Sequence, residues 1–285
     1  MSSPGLTGLT GLPIRRLALA DLPACTELAV DRGWAPQEQT WRLLFAVSEV
    51  YGVDDPAGGL AATVVLTRYG ADLAAIGMML VASRHSRRGL GRRLMARMLD
   101  LAYGAAVFLF ATDLGRPLYA QLGFTVVATS TRYVGLCTPD ATLRSDLAAR
   151  LVRPAGLSGL TAVDRAVFGA DRSRVLAGLA AIADRVVECG DPVAGYAAAW
   201  PDGGIRIIGP VVADSVPMAA GLISSLADAC RGPVRVDISS QHPGLAAWAV
   251  QRGLQAGATN AVMAYGGALP GDRSRLFAPA SVAIG

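Results

Sequence analysis

Six arginines fall between Arg84 and Arg97, and four of them, Arg87, Arg88, Arg92 and Arg93, bracket the step Gly89-Leu90-Gly91. Glycines at the start of a helix let a ligand approach the backbone closely. The free amides of the first turn, together with the helix dipole, then attract anions. Guanidinium groups alongside add charge and paired donors suited to phosphate. The stretch Arg87-Arg88-Gly89-Leu90-Gly91-Arg92 therefore reads as a cradle for a small polyanion, although a G-x-G step taken alone better suits a glycine-rich helix start with solvated arginines. The second chemical candidate is Tyr119, a phenol placed to give a proton to a leaving group. No general base stands out. His85 adjoins the phosphate-type loop and suits phosphate or solvent better, and Asp31, Glu38, Glu49 and Asp113 are candidates by location only.

These groups must be held by regular elements. Leu90, Leu94, Met98 and Leu101 recur at near-helical spacing after the cradle. An apolar strand, Ile76–Ala82, precedes it, with a second strand, Leu60–Leu66, before that, and Ala106–Ala111 reads as a strand leading toward Tyr119. Upstream, Ile14–Leu19 reads as a short strand and Asp21 as the cap of a helix carrying Pro23 in its first turn. Trp34 and Trp41 flank Ala35–Gln39, where packing and a role in an acceptor pocket are evenly matched. The plan then repeats. Val152–Ala155 leads into a helix bearing Leu157, Leu160, Val163 and Val167. Ala194–Trp200 and Ile208–Ala213 follow as strands, and Arg252-Gly253-Leu254 echoes Leu122-Gly123-Phe124. The ordered series implies a duplication. Its boundary lies near Cys137-Thr138-Pro139-Asp140, before a polar helix-like stretch, giving domains of residues 1–140 and 141–285. Hairpins mixed with crossover helices predict an α+β class, each domain a mostly antiparallel mixed sheet flanked by helices.

With these elements in place, most of residues 14–136 resembles the GNAT (Gcn5-related N-acetyltransferase) superfamily. The resemblance rests on the strand ending Met79-Leu80-Val81, the glycine loop, and Gly115-Arg116-Pro117-Leu118-Tyr119 followed by Leu122-Gly123-Phe124. It implies acetyl transfer from acetyl-CoA to a primary amine, small-molecule or peptide. Met79, Leu80 and Val81 would pair with the pantetheine arm as a strand edge does, with a splay or bulge admitting the thioester. Arg87, Arg88, Gly89, Leu90, Gly91 and Arg92 would hold the pyrophosphate, and Tyr119 would be the general acid. Thr112 stands where the family often has Asn contacting the cofactor, and Ser86 replaces the loop's usual first Arg or Gln. In the second half Asp214 stands at the phosphate position, Ala249 replaces Tyr119, and Pro210 interrupts the pantetheine strand. The arrangement is similar to bacterial tandem GNAT proteins with a catalytic first domain and a divergent second, here suggested by Phe168–Ser173 and Gly209–Ala213. A non-catalytic CoA-binding regulator and transfer of a longer acyl group remain as alternatives.

Composition narrows the classes further. Hydrophobic residues make 52% of the 285 and charged residues 17%, which favours a well-buried globular protein over a disordered one. The net charge of +4 is mild and aromatics are 6%, so a nucleic-acid role is not expected. The basic residues are all arginine, a compositional bias. Cys25, Cys137, Cys189 and Cys230 show no metal-ligand pairing and read as buried small hydrophobes, so no metal is expected. Met1–Leu12 lacks the features of a signal peptide, and no apolar run reaches the ~18 residues of a membrane helix. A cytoplasmic protein, monomer or homodimer, without a membrane partner, is the expectation.

Overall fold

The computed structural model describes residues 11–140, 143, 149–230 and 232–285. Most of the polar stretch after Asp140, and most of the Gly/Ser/Thr-rich start, lie outside the described residues. In the first half, α1 (Leu22–Asp31) and α2 (Glu38–Val47) precede an antiparallel meander of β2 (Glu49–Asp54), β3 (Leu60–Tyr69) and β4 (Leu73–Val81). The two-residue β1 (Arg15–Arg16) lies on its edge. The helix α3 (Leu90–Leu101) crosses over to β5 (Ala106–Ala111), which runs parallel to β4. The short α4 (Arg116–Gln121) and the long β6 (Thr125–Gly135) follow.

The second half repeats this order. Helices α5 (Thr161–Phe168) and α6 (Ser173–Ile182) follow β7 (Arg150–Val152). They precede a meander of β8 (Arg185–Cys189), β9 (Gly195–Asp202) and β10 (Ile205–Val212). The helix α7 (Val216–Ala229) crosses to β11 (Val234–Ser239), parallel to β10, and α8 (Pro243–Gln251), β12 (Gln255–Tyr265) and β13 (Leu276–Ala278) complete the chain. The fold is α+β: a mixed sheet flanked by helices, with the unit present twice.

The halves do not close on themselves. β12 lies between β5 and β6, and the other edge of β6 pairs with β11. Each half thus lends its last long strand to the junction, and one sheet runs β1-β2-β3-β4-β5-β12-β6-β11-β10-β9-β8-β7, with β13 on β10. Strand pattern tells which residues alternate, not which strand they pair with, so the sequence announces the strands and hides the exchange.

One face of this sheet is covered by a core that the halves share. Trp41, Leu43 and Leu44 of α2 pack with Leu176 and Leu179 of α6. At Gly178 of α6 an added Cβ would stand 2.5 Å from Val47 Cγ1 and 2.8 Å from Leu43 Cδ1, so the two helices touch where only hydrogen fits. Separate apolar clusters lie on the opposite face, under α3 and α4 and under α7 and α8. In α3 the buried Leu90, Leu94, Met95 and Met98 form the inner stripe while Arg92 and Arg97 stay outside. Asp21 stands at the cap position of α1 as expected, but its side chain makes no bond to the amides of that helix; the carboxylate accepts from the Ala18 amide at 2.8 Å and from Arg15 at 2.7 Å. The nearby arginine outcompetes the helix amides because a charge-assisted pair is the stronger bond.

Candidate active site

β4 and β5 pair only from Leu73/Ala106 to Ile76/Leu109, and beyond that point they diverge. On its other edge β4 carries a bulge, with Met78 and Met79 set against Val64 alone, since Val65 faces Gly77 and Thr63 faces Leu80. Met78 has φ +45° there, and the Thr63 hydroxyl donates to its carbonyl at 3.0 Å. Just beyond β4, Arg87 has φ +60°. These are the two positive-φ residues other than glycine among the described residues. Such a conformation costs on the order of 1–3 kcal/mol, so the backbone stores its strain at this wedge.

A cleft of about 690 Å³ opens along the wedge. Met79, Leu80, Val81, Arg87, Gly89, Leu90, Gly91, Arg92, Thr112 and Tyr119 all line it, as the sequence groups them. Arg88 is exposed and is not among the lining residues, and Arg93 turns away to the Leu12 carbonyl. Gly89 enters α3 at φ +82°, a left-handed turn that suits glycine. Gly91 sits against the cleft wall, where an added Cβ would lie 3.0 Å from Met79 Cε and 3.3 Å from Leu118 Cδ2. Arg92 also bonds Gln121, tying the start of α3 to α4.

Several supports escape motif reading. Asp31 accepts from the Ser83 amide at 2.7 Å, and Arg32 donates to the Ser83 hydroxyl at 2.8 Å, so the end of α1 steadies the loop and Arg32 lines the cleft. His85 and Arg84 both hold Asp55 on the turn after β2. Burial alone would raise the Asp55 carboxyl, but the Ala57 amide, His85 and Arg84 outweigh it and bring it down to about 2. Short polar ties from distant positions carry no periodic signal, so only their proximity in the fold reveals them.

A second cavity of about 330 Å³ adjoins the cleft, and Trp34, Met79, Thr112 and Tyr119 line both. Trp34 is thus a pocket residue, whereas Trp41 is fully buried in the core. Thr112 is engaged in the turn to α4, its hydroxyl accepting from the Gly115 amide at 3.3 Å. Tyr119 is 7% exposed, its ring edge-on to Phe124 and close over Gly115, where a Cβ would meet its hydroxyl at 3.2 Å. Burial pushes its phenol up to about 12, so it holds its proton throughout the physiological range.

The far wall of the second cavity belongs to later parts of the chain: Arg132, Arg235 and Asn260, with Ser281–Ala283. An added Cβ on Gly77 would stand 2.1 Å from the Ala283 carbonyl, so this segment lies against the opening of β4. None of Asp31, Glu38, Glu49 and Asp113 lines either cavity.

The second half offers a direct comparison. Phe124 donates its amide to the Tyr119 carbonyl at 3.0 Å, and Leu254 to that of Ala249 at 3.0 Å, after Gly123 and Gly253 at φ +93° and +92°. Ala249 therefore occupies the position of Tyr119. β10 continues through Pro210, but its ladder to β9 jumps from Ile208 to Val211. Its divergence from β11 is filled by β13, which pairs Ala278 with Val211, and a Cβ on Gly209 would stand 2.2 Å from the Pro279 carbonyl. Asp214 pairs with Arg275 at 2.5 Å. The chain itself closes the second wedge, with residues 276–280 seated at Gly209 and residues 281–283 running on toward Gly77.

Among the described residues no group of three or more His, Cys, Asp or Glu could hold a metal, and no helix is long and apolar enough to cross a membrane. Family models described as acetyltransferase (GNAT) domain match residues 44–126 and residues 160–278. The uncharacterized N-acetyltransferase YitH of Bacillus subtilis (strain 168) is 29% identical over 263 residues, covering 90% of this chain and 93% of that protein. A Pyrococcus horikoshii protein provisionally described as an acetyltransferase superposes with TM-score 0.82 at 17% identity, over 100% of this chain and 99% of that one. A tandem GNAT protein from the clavulanic acid biosynthesis pathway superposes with TM-score 0.58 at 14% identity, over 90% and 99%.

Proposed function

Because this chain belongs to the GNAT acetyltransferase family, with two such domains in tandem, we propose that it moves an acetyl group from acetyl-CoA to a primary amine at one site in its first domain. In this reading residues 1–140 form the catalytic domain, and residues 141–285 form a degenerate copy that adds Arg235, Asn260 and residues 281–283 to the far wall of the acceptor pocket. The observation that carries it is the position of Tyr119, at the junction of the glycine-loop cleft and the smaller cavity. The nucleotide end of acetyl-CoA suits the amides of the first turn of α3 with Arg87 and Arg92, and the pantetheine arm suits the edge of β4 beyond Ile76. The amine nitrogen attacks the thioester carbonyl, the C–S bond breaks, and the departing thiolate takes a proton from Tyr119. The phenolate regains its proton from the attacking nitrogen, which loses one to become the neutral amide.

Two expected outcomes follow from the geometry. Equilibrium titration should count one acetyl-CoA per chain, because β13 fills the second wedge; two equivalent sites would refute the division of labour. No carboxylate lines the acceptor pocket, and His85 is tied to Asp55, so the amine reacts in its free-base form. Well below the amine's pKa, kcat/KM should therefore rise about tenfold per pH unit. Tyr119 stays protonated below its raised value of about 12, so no falling limb should appear up to about pH 10. A falling limb near neutrality would remove Tyr119 as the donor. Release of CoA thiol with a panel of amines separates an enzyme from a protein that only binds CoA.

A further inference from the structure

The far wall of the acceptor pocket carries charge that the transfer chemistry does not use. Arg132 on β6 and Arg235 on β11 line it, with Asn260 of β12 beside them, and no Asp or Glu is among its lining residues. Strand register puts these groups on one face of the sheet. Arg132 lies opposite Asp237, which is two residues from Arg235, and Asn260 lies opposite Ser130, two residues from Arg132. Arg235, 3% exposed, donates to Asp237 through Nε at 3.0 Å and Nη2 at 2.7 Å. Arg132 comes only within 3.7 Å of the same carboxylate, and its buried Nε has no hydrogen-bond partner. Two guanidinium groups thus share this carboxylate, with Asp202 acting on Arg235 from farther off, and the Arg132 side chain stays 36% exposed at the pocket wall. Burial, and then Arg235 beside it, disfavours the charge on Arg132. A buried unpaired donor such as the Arg132 Nε costs stability unless a ligand completes it.

We propose that Arg132 and Arg235 receive an anionic group, carboxylate or phosphate, carried by the amine acceptor, so that the enzyme acetylates a small anionic amine and not a polycation. A planar guanidinium fork is the side chain best matched to either anion. The volume of about 330 Å³ suits a compact molecule. The acids that would draw a polycation are engaged elsewhere: Asp31 with Ser83, Asp54 with Arg15, Asp55 with Arg84 and His85. The proposal rests on the acetyl-transfer reading, and its test keeps the two apart.

Thiol release at saturating acetyl-CoA is measured with matched acceptors: L-glutamate against its dimethyl ester, and glucosamine 6-phosphate against glucosamine, with spermidine and kanamycin as polycations. The anionic member of at least one pair should have a kcat/KM about tenfold or more above its partner, and which pair responds tells carboxylate from phosphate. Arg132→Gln should erase that advantage, and Arg132→Lys should keep part of it. Acetyl-CoA affinity should not change in either variant. Esters or polycations used as well as the anions would overturn the proposal while leaving acetyl transfer intact. Failure to bind acetyl-CoA would instead sink the transfer reading. If acetyl-CoA binds and no amine in the set turns over, calorimetric titration of the same compounds into CoA-loaded protein decides the matter. Preferential binding of the anions supports the proposal; equal binding or none overturns it.

Discussion

Tyr119→Phe is expected to lower kcat by about 10²- to 10³-fold while leaving the acetyl-CoA dissociation constant within about twofold of the parent. The substitution removes one oxygen and little else. The ring keeps its edge-on contact with Phe124 and its seat over Gly115, and among the described residues the hydroxyl makes no hydrogen bond whose loss would disturb the fold. In the proposed reading, what disappears is the proton for the departing thiolate, which must then leave as an anion or wait for water. The loss should shrink with a thioester whose thiol is more acidic, because such a group needs less protonation. If the variant kept full activity, or lost affinity instead of rate, Tyr119 would be a packing residue. Stopped-flow measurement of a single turnover separates chemistry from product release.

Gly91→Glu should abolish detectable acetyl-CoA binding, weakening it by about 100-fold or more, while the protein remains folded. Gly91 lies in the first turn of α3, where a carboxylate favours the helix through its dipole. The same carboxylate would occupy the amide end of the cleft and repel phosphate. Fold and binding are therefore pushed in opposite directions, which makes the result easy to interpret. Gly91→Ala is the control. Its methyl would press on the tips of Met79 at 3.0 Å and Leu118 at 3.3 Å, both ends of flexible side chains, and touch Val81 at an ordinary 3.8 Å, while alanine gains roughly 1 kcal/mol of helix propensity over glycine. Calorimetry should show a modest change in affinity for alanine and no heat for glutamate, with both melting at or above the parent temperature. Retained binding in the glutamate variant would place the phosphates elsewhere.

The parts of the site that were legible in the sequence are those joined by short spacing. Gly89-Leu90-Gly91 opens a helix, and Tyr119 stands five residues before Phe124, so local chemistry announces both. The bulge at Met78 depends on Thr63 and Val65 across the sheet, and no pattern within β4 reveals it. The opposite wall of the pocket was harder still. Arg132 falls in the first domain by sequence and Arg235 and Asn260 in the second, and they converge because β6 and β12 trade places. Ser281–Ala283 reach Gly77 from across the whole chain. The difference between the two copies was half visible: Asp214 and Ala249 could be read against the glycine loop and Tyr119, but the closure of the second wedge by β13 could not.

That trade of strands also sets a clock on biosynthesis. At about 5–20 residues per second, the ribosome releases β12 on the order of ten seconds after β5. Until then the Ala106–Ala111 strand, apolar along its length, waits with its outer edge unpaired, an invitation to wrong partners. The amino-terminal half therefore reaches the end of its own synthesis without the strand that pairs β5 in the finished fold. A cell that stalls translation between the halves would release not a smaller working enzyme but a sticky fragment.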